Sequence, residues 1–580
     1  MRSSQVSDDQ QPTLNEDLLD AAYAASNDAD HYSDAGEHAK AAEKYRYAHQ
    51  LFETCGHMRG QANSGLGRGQ SLIALQRPNE AIEILNAARN QFLTHEGYPI
   101  FRGAADCDQN LASIYRQLGR LDEAIEAYRR ALDTYPQNCE KERVSSASGL
   151  AIVLAATGAY GEALDVLRDA EDRCHDRIHG IEISVNIGVF YADSGRYDAA
   201  YLQLERARTS AAAEGADELA ASCDTNLGYV HLRAGRADQA ATAYTRAKER
   251  YEELCAAATT EESCLELRKK VANCSMNLGT AYGYAGDPER ALAAYGDAMI
   301  AFNELGQLDR IADCRMNMGV EHAARDEIVA TKLYQLAREH YQKAPGKARQ
   351  AAGCIMNLAR LDDASGRHQD AQQSHRRAAA EFRALGLYEW EARCAVNLAS
   401  SVAASGERTD ARAALDVLLP ALLHLDAVKF QFPTAAARLS WRRTVASANR
   451  LAFELASETG DAELLAELVE TTINSGTHTS THIATDITMG IDTAAETIDS
   501  VTDDERMRPS DFGLAMLGDR IAGPIRLIAG VGLPMAPPPR LRMPSGRIAL
   551  EKFHGAVRHY TPTTGQDCPD EPRTPVVDVT

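Results

Sequence analysis

One 40-residue frame runs through most of the chain and limits it to an architecture built by stacking. It is clearest at 271–310, VANCSMNLGTAYGYAGDPERALAAYGDAMIAFNELGQLDR. With Asn277 as reference, Gly279 and Tyr282 follow closely, Gly286-Asp287-Pro288 marks a turn, and Ala291, Tyr295 and Ala298 come after it. Apolar and small residues recur at i, i+3/i+4 and i+7 on both sides of the Gly/Pro break. That is the pattern of two amphipathic helices joined by a tight turn. Gly279 and Ala298 are small where two helices must approach closely, and Tyr282 and Tyr295 fill the space between them.

The reference position recurs as Asn27, Gly67, Asn110, Gly149, Asn186, Asn226, Asn277, Asn317, Asn357 and Asn397. An alanine follows fourteen residues later in nine of these ten units, as at Ala41, Ala124, Ala240, Ala291 and Ala371. The eighth unit reaches Ala330 one residue early, which predicts a shortened turn. Repetition of this kind means a stack in which each helix pair buries its apolar faces against its neighbours. A chain of 580 residues then needs no single central core.

The elements N-L-G-x-x-Y (277–282), G-R-x-x-E-A (119–124) and A-x-x-x-Y-x-x-A (124–131) resemble the tetratricopeptide repeat. The resemblance covers roughly 14–428 and implies an all-α chain, a right-handed α-solenoid of about ten helix pairs. Residues 1–13 read as a disordered N-terminal tail, 429–474 as a helical cap, and 475–580 as a Thr/Pro-rich, mostly irregular tail with a hairpin at 540–550. A solenoid needs such a cap to cover its last apolar face. An insertion of about eleven residues at 255–270 predicts longer facing helices with a longer connection, or a functional loop.

A second resemblance concerns LLPALLHLDAVKFQFPTAAARLSW and PPPRLRMPSGRIAL. Both are similar to segments of actinobacterial tetratricopeptide proteins that carry, or work beside, a caspase-like CHAT peptidase domain. That family's peptidase uses a His-Gly and a Cys on separate strands. Here His554-Gly555 and Cys568 lie close together in a Pro-rich stretch. The resemblance implies membership without the catalytic domain.

The asparagines carry the functional expectation. Asn186, Asn226, Asn277, Asn317, Asn357 and Asn397 form an unbroken run. The run resembles the asparagine ladder of the O-GlcNAc transferase superhelix, which implies that it faces the concave side. One amide offers a donor and an acceptor, matching the C=O and N–H of an extended peptide. Units about 10 Å apart would meet every third residue of a strand rising ~3.3 Å per residue. The competing reading is that each Asn bonds inside the array and holds the units in register; both stay open.

The formal charge of −22 and pI near 5.3 make nucleic acid a poor partner. The first twenty residues hold no apolar core of signal-peptide length. No run approaches the ~18 apolar residues of a membrane span. These features predict a cytoplasmic protein without membrane partners. Cys107, Cys223, Cys274, Cys314, Cys354 and Cys394 all precede a register Asn by three residues, where Ser64 and Ser146 stand in other units. A position shared by Cys and Ser wants a small, fairly buried side chain, so these read as reduced structural thiols. No C-x-x-C, nucleotide-binding or nucleophile-elbow motif occurs, and His478-x-x-x-His482 lacks the Glu of a zinc protease helix. His31, His231, His322 and His375 read as partly buried neutral residues. No metal, no cofactor and no catalytic residue is expected. The chain reads as a non-catalytic scaffold or adaptor for a protein or extended peptide. The alternatives are a regulatory or degenerate member of a CHAT peptidase system, or a structural oligomer.

Overall fold

A computed structural model describes residues 11–94, 101–157, 159–344, 346–404, 408–428, 435–474, 540–542, 547–557 and 576–578. The chain divides into two compact parts, Met1–Ile183 and Ser184–Thr580. The first part holds α1 (Gln11–Asp34), α2 (His38–Thr54), α3 (Met58–Ala74), α4 (Pro78–Thr94), α5 (Phe101–Gln117), α6 (Leu121–Thr134), α7 (Glu140–Ala156) and α8 (Tyr160–Asp172). The boundary falls within α9 (Arg177–Asp193). The second part continues with α10 (Tyr197–Ala213), α11 (Asp217–Arg233), α12 (Ala237–Ala257), α13 (Glu261–Ala285), α14 (Pro288–Glu304) and α15 (Leu308–His322). Then come α16 (Glu327–Lys343), α17 (Ala348–Ala364), α18 (His368–Ala384), α19 (Tyr388–Ala404) and α20 (Arg408–Val428). Helices α21 (Ala435–Thr459) and α22 (Ala462–Asn474) follow. A strand β1 (Arg540–Arg542), a short helix α23 (Glu551–Val557) and a strand β2 (Val576–Asp578) complete the described elements.

The pair α13–α14 shows how the frame becomes structure. Helix α13 ends at Gly286, whose φ of +79° is one that only glycine adopts without strain. The Asp287 carboxylate then accepts from the Arg290 N–H, and Pro288 occupies the first helical turn, where its missing donor costs nothing. Across the turn, Ala291, Tyr295, Ala298 and Phe302 are buried on one face of α14. Full burial of a ring such as Phe302 stabilises the pair by roughly 1.5–3 kcal/mol. The Tyr295 hydroxyl donates to Thr280 Oγ1 at 3.1 Å and ties the two helices together.

Three local expectations change. In the eighth pair the first helix is short, not the turn: α15 has 15 residues where α17 has 17, and residues 323–326 make the connection. The Asp326 carboxylate, accepting from the Val329 N–H, starts α16 early. The insertion at 255–270 lengthens α12 to 21 residues and α13 to 25, and the connection between them spans only 258–260. Helix α1 begins at Gln11, inside the stretch read as disordered, with Pro12 in its first turn.

Helices α21 and α22 pack on α20, and part of the stretch beyond 475 joins them. Leu415, Leu418, Leu419, Leu422, Val445, Leu455, Leu464 and Leu468 make one buried cluster, and Leu550 and Phe553 join it. The Leu550 N–H donates to Glu467 Oε2 at 3.0 Å, and Arg547 pairs with Glu463 and Glu467. The hairpin expected at 540–550 is therefore corrected. Residues 548–550 bury against the cap, and β1 pairs in parallel with β2, Arg540 opposite Val576. Residues 475–539, including His478 and His482, lie outside the described residues. Among the described residues no helix is long and apolar enough to cross a membrane.

Candidate functional site

The first helix of each pair carries the register residue near its middle. In the second part, successive first helices touch: α11 meets α13, α13 meets α15, and α17 meets α19. Close approach between them decides what the asparagines can do. Asn277 and Asn317 are 0% exposed, and Asn226, Asn357 and Asn397 no more than 6%. Asn186 is half-buried. Asn186, Asn277, Asn317 and Asn357 are engaged within the chain, whereas Nδ2 of Asn226 and of Asn397 is enclosed without an acceptor. The carboxamides of Asn226, Asn277, Asn317, Asn357 and Asn397 are thus buried in this conformation, and that of Asn186 is partly open.

The two interruptions of the run have a steric cause, both in the first part. A Cβ placed on Gly67 would lie 2.5 Å from Tyr45 Cζ, and one on Gly149 2.5 Å from Tyr128 Cζ. The tyrosine of the preceding pair reaches under the register position and leaves no room for a side chain. Elsewhere the glycine two residues after the register position plays this part, as Gly279 does against Tyr295 and Gly319 against Tyr334.

Charged clamps join neighbouring pairs. Asp108 on α5 is fully buried and accepts from Arg89 on α4 at 2.6 Å and Arg130 on α6 at 2.9 Å. In the second part, Asp224 on α11 repeats the arrangement with Arg246 on α12 at 2.7 Å and Arg208 on α10 at 3.9 Å. A buried carboxylate between two guanidiniums holds three helices at one spacing, because removing any member strands a charge. The repeat pattern held a signal for this. Both aspartates precede a register Asn by two residues, and each Arg flanks a conserved-frame alanine, Ala88, Ala131, Ala207 or Ala247.

Polar groups gather at the C-terminal ends of the first helices. The Tyr229 hydroxyl donates to Asp193, and Arg233 Nη1 donates to Tyr229 Oη at 2.7 Å, with Arg233 43% exposed. Glu321 on α15 fills the space over Gly283 of α13. Burial pushes its carboxyl up to about 7, against a smaller downward pull from Arg325. The folded state thus prefers the protonated acid. Its stabilising contribution is full below the ordinary value of 4.5 and is lost as pH rises through about 7. Replacing Glu321 by Gln is expected to raise the melting temperature relative to the parent chain above about pH 8, with the difference closing towards about pH 5. Paired melting curves across that range check it.

The histidines divide. His375 is fully buried, with Nε2 3.0 Å from Asp363 Oδ2. Burial alone would raise the Asp363 carboxyl, but hydrogen bonds from His375, Ser401 and His368 hold it below its ordinary value. His322 is half-buried and His31 is exposed. His554 lies on helix α23, so the His-Gly of a CHAT strand is not formed there, and Cys568 lies outside the described residues.

His231 belongs to a cavity of about 380 Å³ between α10, α11 and α12. Arg236, Arg246, Gln239 and Thr242 line one side, Tyr201 and Glu205 the other. His231 Nδ1 and Arg236 Nε and Nη2 are enclosed without protein acceptors. Burial, with Arg236 and Arg246 beside it, lowers the His231 imidazolium below its usual range. Glu205 is engaged by Arg208 at 2.6 Å and Asp224 by Arg246. The hollow therefore holds one guanidinium, that of Arg236, with N–H groups that have no acceptor in the chain. Neither the repeat nor the composition pointed to it, because its residues come from three helices and a turn.

These helix pairs define an all-α repeat array. The chain carries tetratricopeptide repeats: residues 103–174 match the tetratricopeptide repeat family model. Residues 150–295 match the model of the Suppressor of spindle checkpoint defect 1 C-terminal domain. No curated protein matches the chain. Among solved structures, a Rap protein complexed with competence and sporulation factor is 14% identical, covering 63% of this chain and 99% of its own, with a TM-score of 0.38. Aspartyl phosphate phosphatase F from Bacillus subtilis is 13% identical over 66% of this chain and 96% of its own, at 0.38. A signal-transduction ATPase with a tetratricopeptide repeat sensor from Pyrococcus horikoshii is 13% identical over 67% and 55%, at 0.39.

Proposed function

We propose that the chain is a non-catalytic binding array that recognises a protein partner by an acidic side chain seated between α10, α11 and α12. The observation that carries this reading is the hollow of about 380 Å³ lined together by Arg236, Arg246 and His231. A carboxylate there would pair with the Arg236 guanidinium once that side chain turns into the hollow. In this reading the register asparagines pin the pairs, and partner contacts fall on the groove between second helices.

The test uses the full chain and paired peptides, each an extended segment with one Glu or its Gln twin. The Glu peptides are expected to bind more tightly, and Arg236→Ala to remove the preference. A charged hydrogen bond of roughly 1.5–3 kcal/mol corresponds to about ten- to a hundredfold in affinity. Equal binding of the Glu and Gln twins by the parent chain overturns the proposal.

A further inference from the structure

The connection between α12 and α13 carries a second chemistry, independent of the cavity. Cys255 sits in the last turn of α12 and Cys264 in the first turn of α13, and their Sγ atoms are 2.9 Å apart. Both side chains are partly exposed, and both are free thiols. They lie at the longest insertion between repeat pairs, at 255–270. The other cysteines of the frame are unlike them. Cys107, Cys223, Cys274, Cys314, Cys354 and Cys394 are buried to within 1%. Burial pushes the thiols of Cys223, Cys274 and Cys314 up to about 12, and those of Cys107, Cys354 and Cys394 up as well. A buried thiol that stays protonated is inert.

From this contrast we infer that Cys255 and Cys264 are a site of reversible oxidation to a disulfide by a small-molecule disulfide such as oxidised glutathione. The helix positions assign the roles. Cys264, in the first turn of α13, lies at the end of the helix where the backbone N–H groups favour an anion. Cys255, at the C-terminal end of α12, faces the opposite dipole end, and its contact with Cys264, together with burial, raises its thiol. The Cys264 thiolate attacks one sulfur of the glutathione disulfide, forming a mixed disulfide and expelling one glutathione thiolate. The Cys255 thiolate then attacks Cys264 Sγ, forming the intrachain bond and expelling the second glutathione. Two electrons pass from the protein thiols to the glutathione disulfide, and the two thiol protons end on the two glutathiones.

The bond would brace the rim of an apolar cluster. Ala221, Ala247, Tyr251, Leu267 and Cys274 are its core, with Leu254, Cys255, Ala258 and Val271 packed against it. Closing the short loop between the two cysteines removes freedom from the unfolded chain at this junction. In the reduced chain the connection 258–260 is the covalent link between α12 and α13.

The experiment equilibrates the full chain with glutathione buffers of rising oxidised fraction, blocks free thiols, and maps peptides by mass. A Cys255–Cys264 peptide pair lighter by two hydrogens is expected, with the six cysteines of the repeat frame still reduced. Cys255→Ser is expected to trap glutathione on Cys264. The parent chain should melt at a higher temperature when oxidised and return on reduction, whereas the double Ser variant should not respond. Persistence of both free thiols in excess oxidised glutathione overturns the inference, as does oxidation spread over the buried cysteines.

Discussion

Placing asparagine at Gly67 or Gly149 is expected to destabilise the first part of the chain, although it would complete the register run. Each new side chain meets the ring of Tyr45 or Tyr128, whose Cζ lies 2.5 Å from the Cβ it would introduce. The ring must move or the helices must part, and overpacking of this kind costs roughly 1–3 kcal/mol. Denaturant midpoints for Gly149→Asn, beside the double variant Gly149→Asn with Tyr128→Leu, check the cause. The single variant is expected to lose stability and the double variant to recover part of it. An unchanged midpoint for the single variant would show that the ring does not occupy the site.

The combined variant Asn277→Ala, Asn317→Ala, Asn357→Ala and Asn397→Ala is expected to melt earlier while keeping the preference for Glu peptides. Each hydrogen bond removed inside the array costs roughly 0.5–1.5 kcal/mol, about 2–6 kcal/mol for four if they add. The sites are not equal. Nδ2 of Asn397 has no acceptor, whereas Asn277 and Asn357 are engaged, so Asn397→Ala alone is expected to cost least. Melting curves and peptide affinities must be taken on the same preparations. Unchanged melting with weakened peptide binding would favour an open ladder and overturn the role of these asparagines as pins.

The architecture was legible because the frame repeats. Ten copies of one spacing place the turns, the small residues at close approaches and the buried tyrosines. The depth of the asparagines was not legible. Periodicity tells which face of α13 carries Asn277, but not how tightly α11 and α15 close over that face. The same limit hid the reason for Gly67 and Gly149, since the ring that excludes a side chain comes from the pair before. The Asp108 and Asp224 clamps were partly readable, because their arginines recur at fixed places in the frame. The cationic cavity was not, as Arg236 sits in a turn and its meaning depends on which nitrogens go unanswered. The docking of Leu550 was invisible for a different reason: its partner Glu467 lies 83 residues earlier.

That separation has a consequence for how the chain is made. Every helix pair before α20 finds its packing partner within the next forty or so residues, so the array can condense progressively as it leaves the ribosome. The terminal cluster around Leu455, Leu464 and Leu468 cannot be completed this way, because Leu550 and Phe553 are needed to cover it. At about 5–20 residues per second, those residues emerge roughly 4–17 seconds after Glu467. For that interval a nascent chain with a finished array presents an apolar end that a neighbouring copy on the same messenger could meet first. Synthesis speed through 475–539 would then set the yield of singly closed molecules, with no change to any contact in the finished fold.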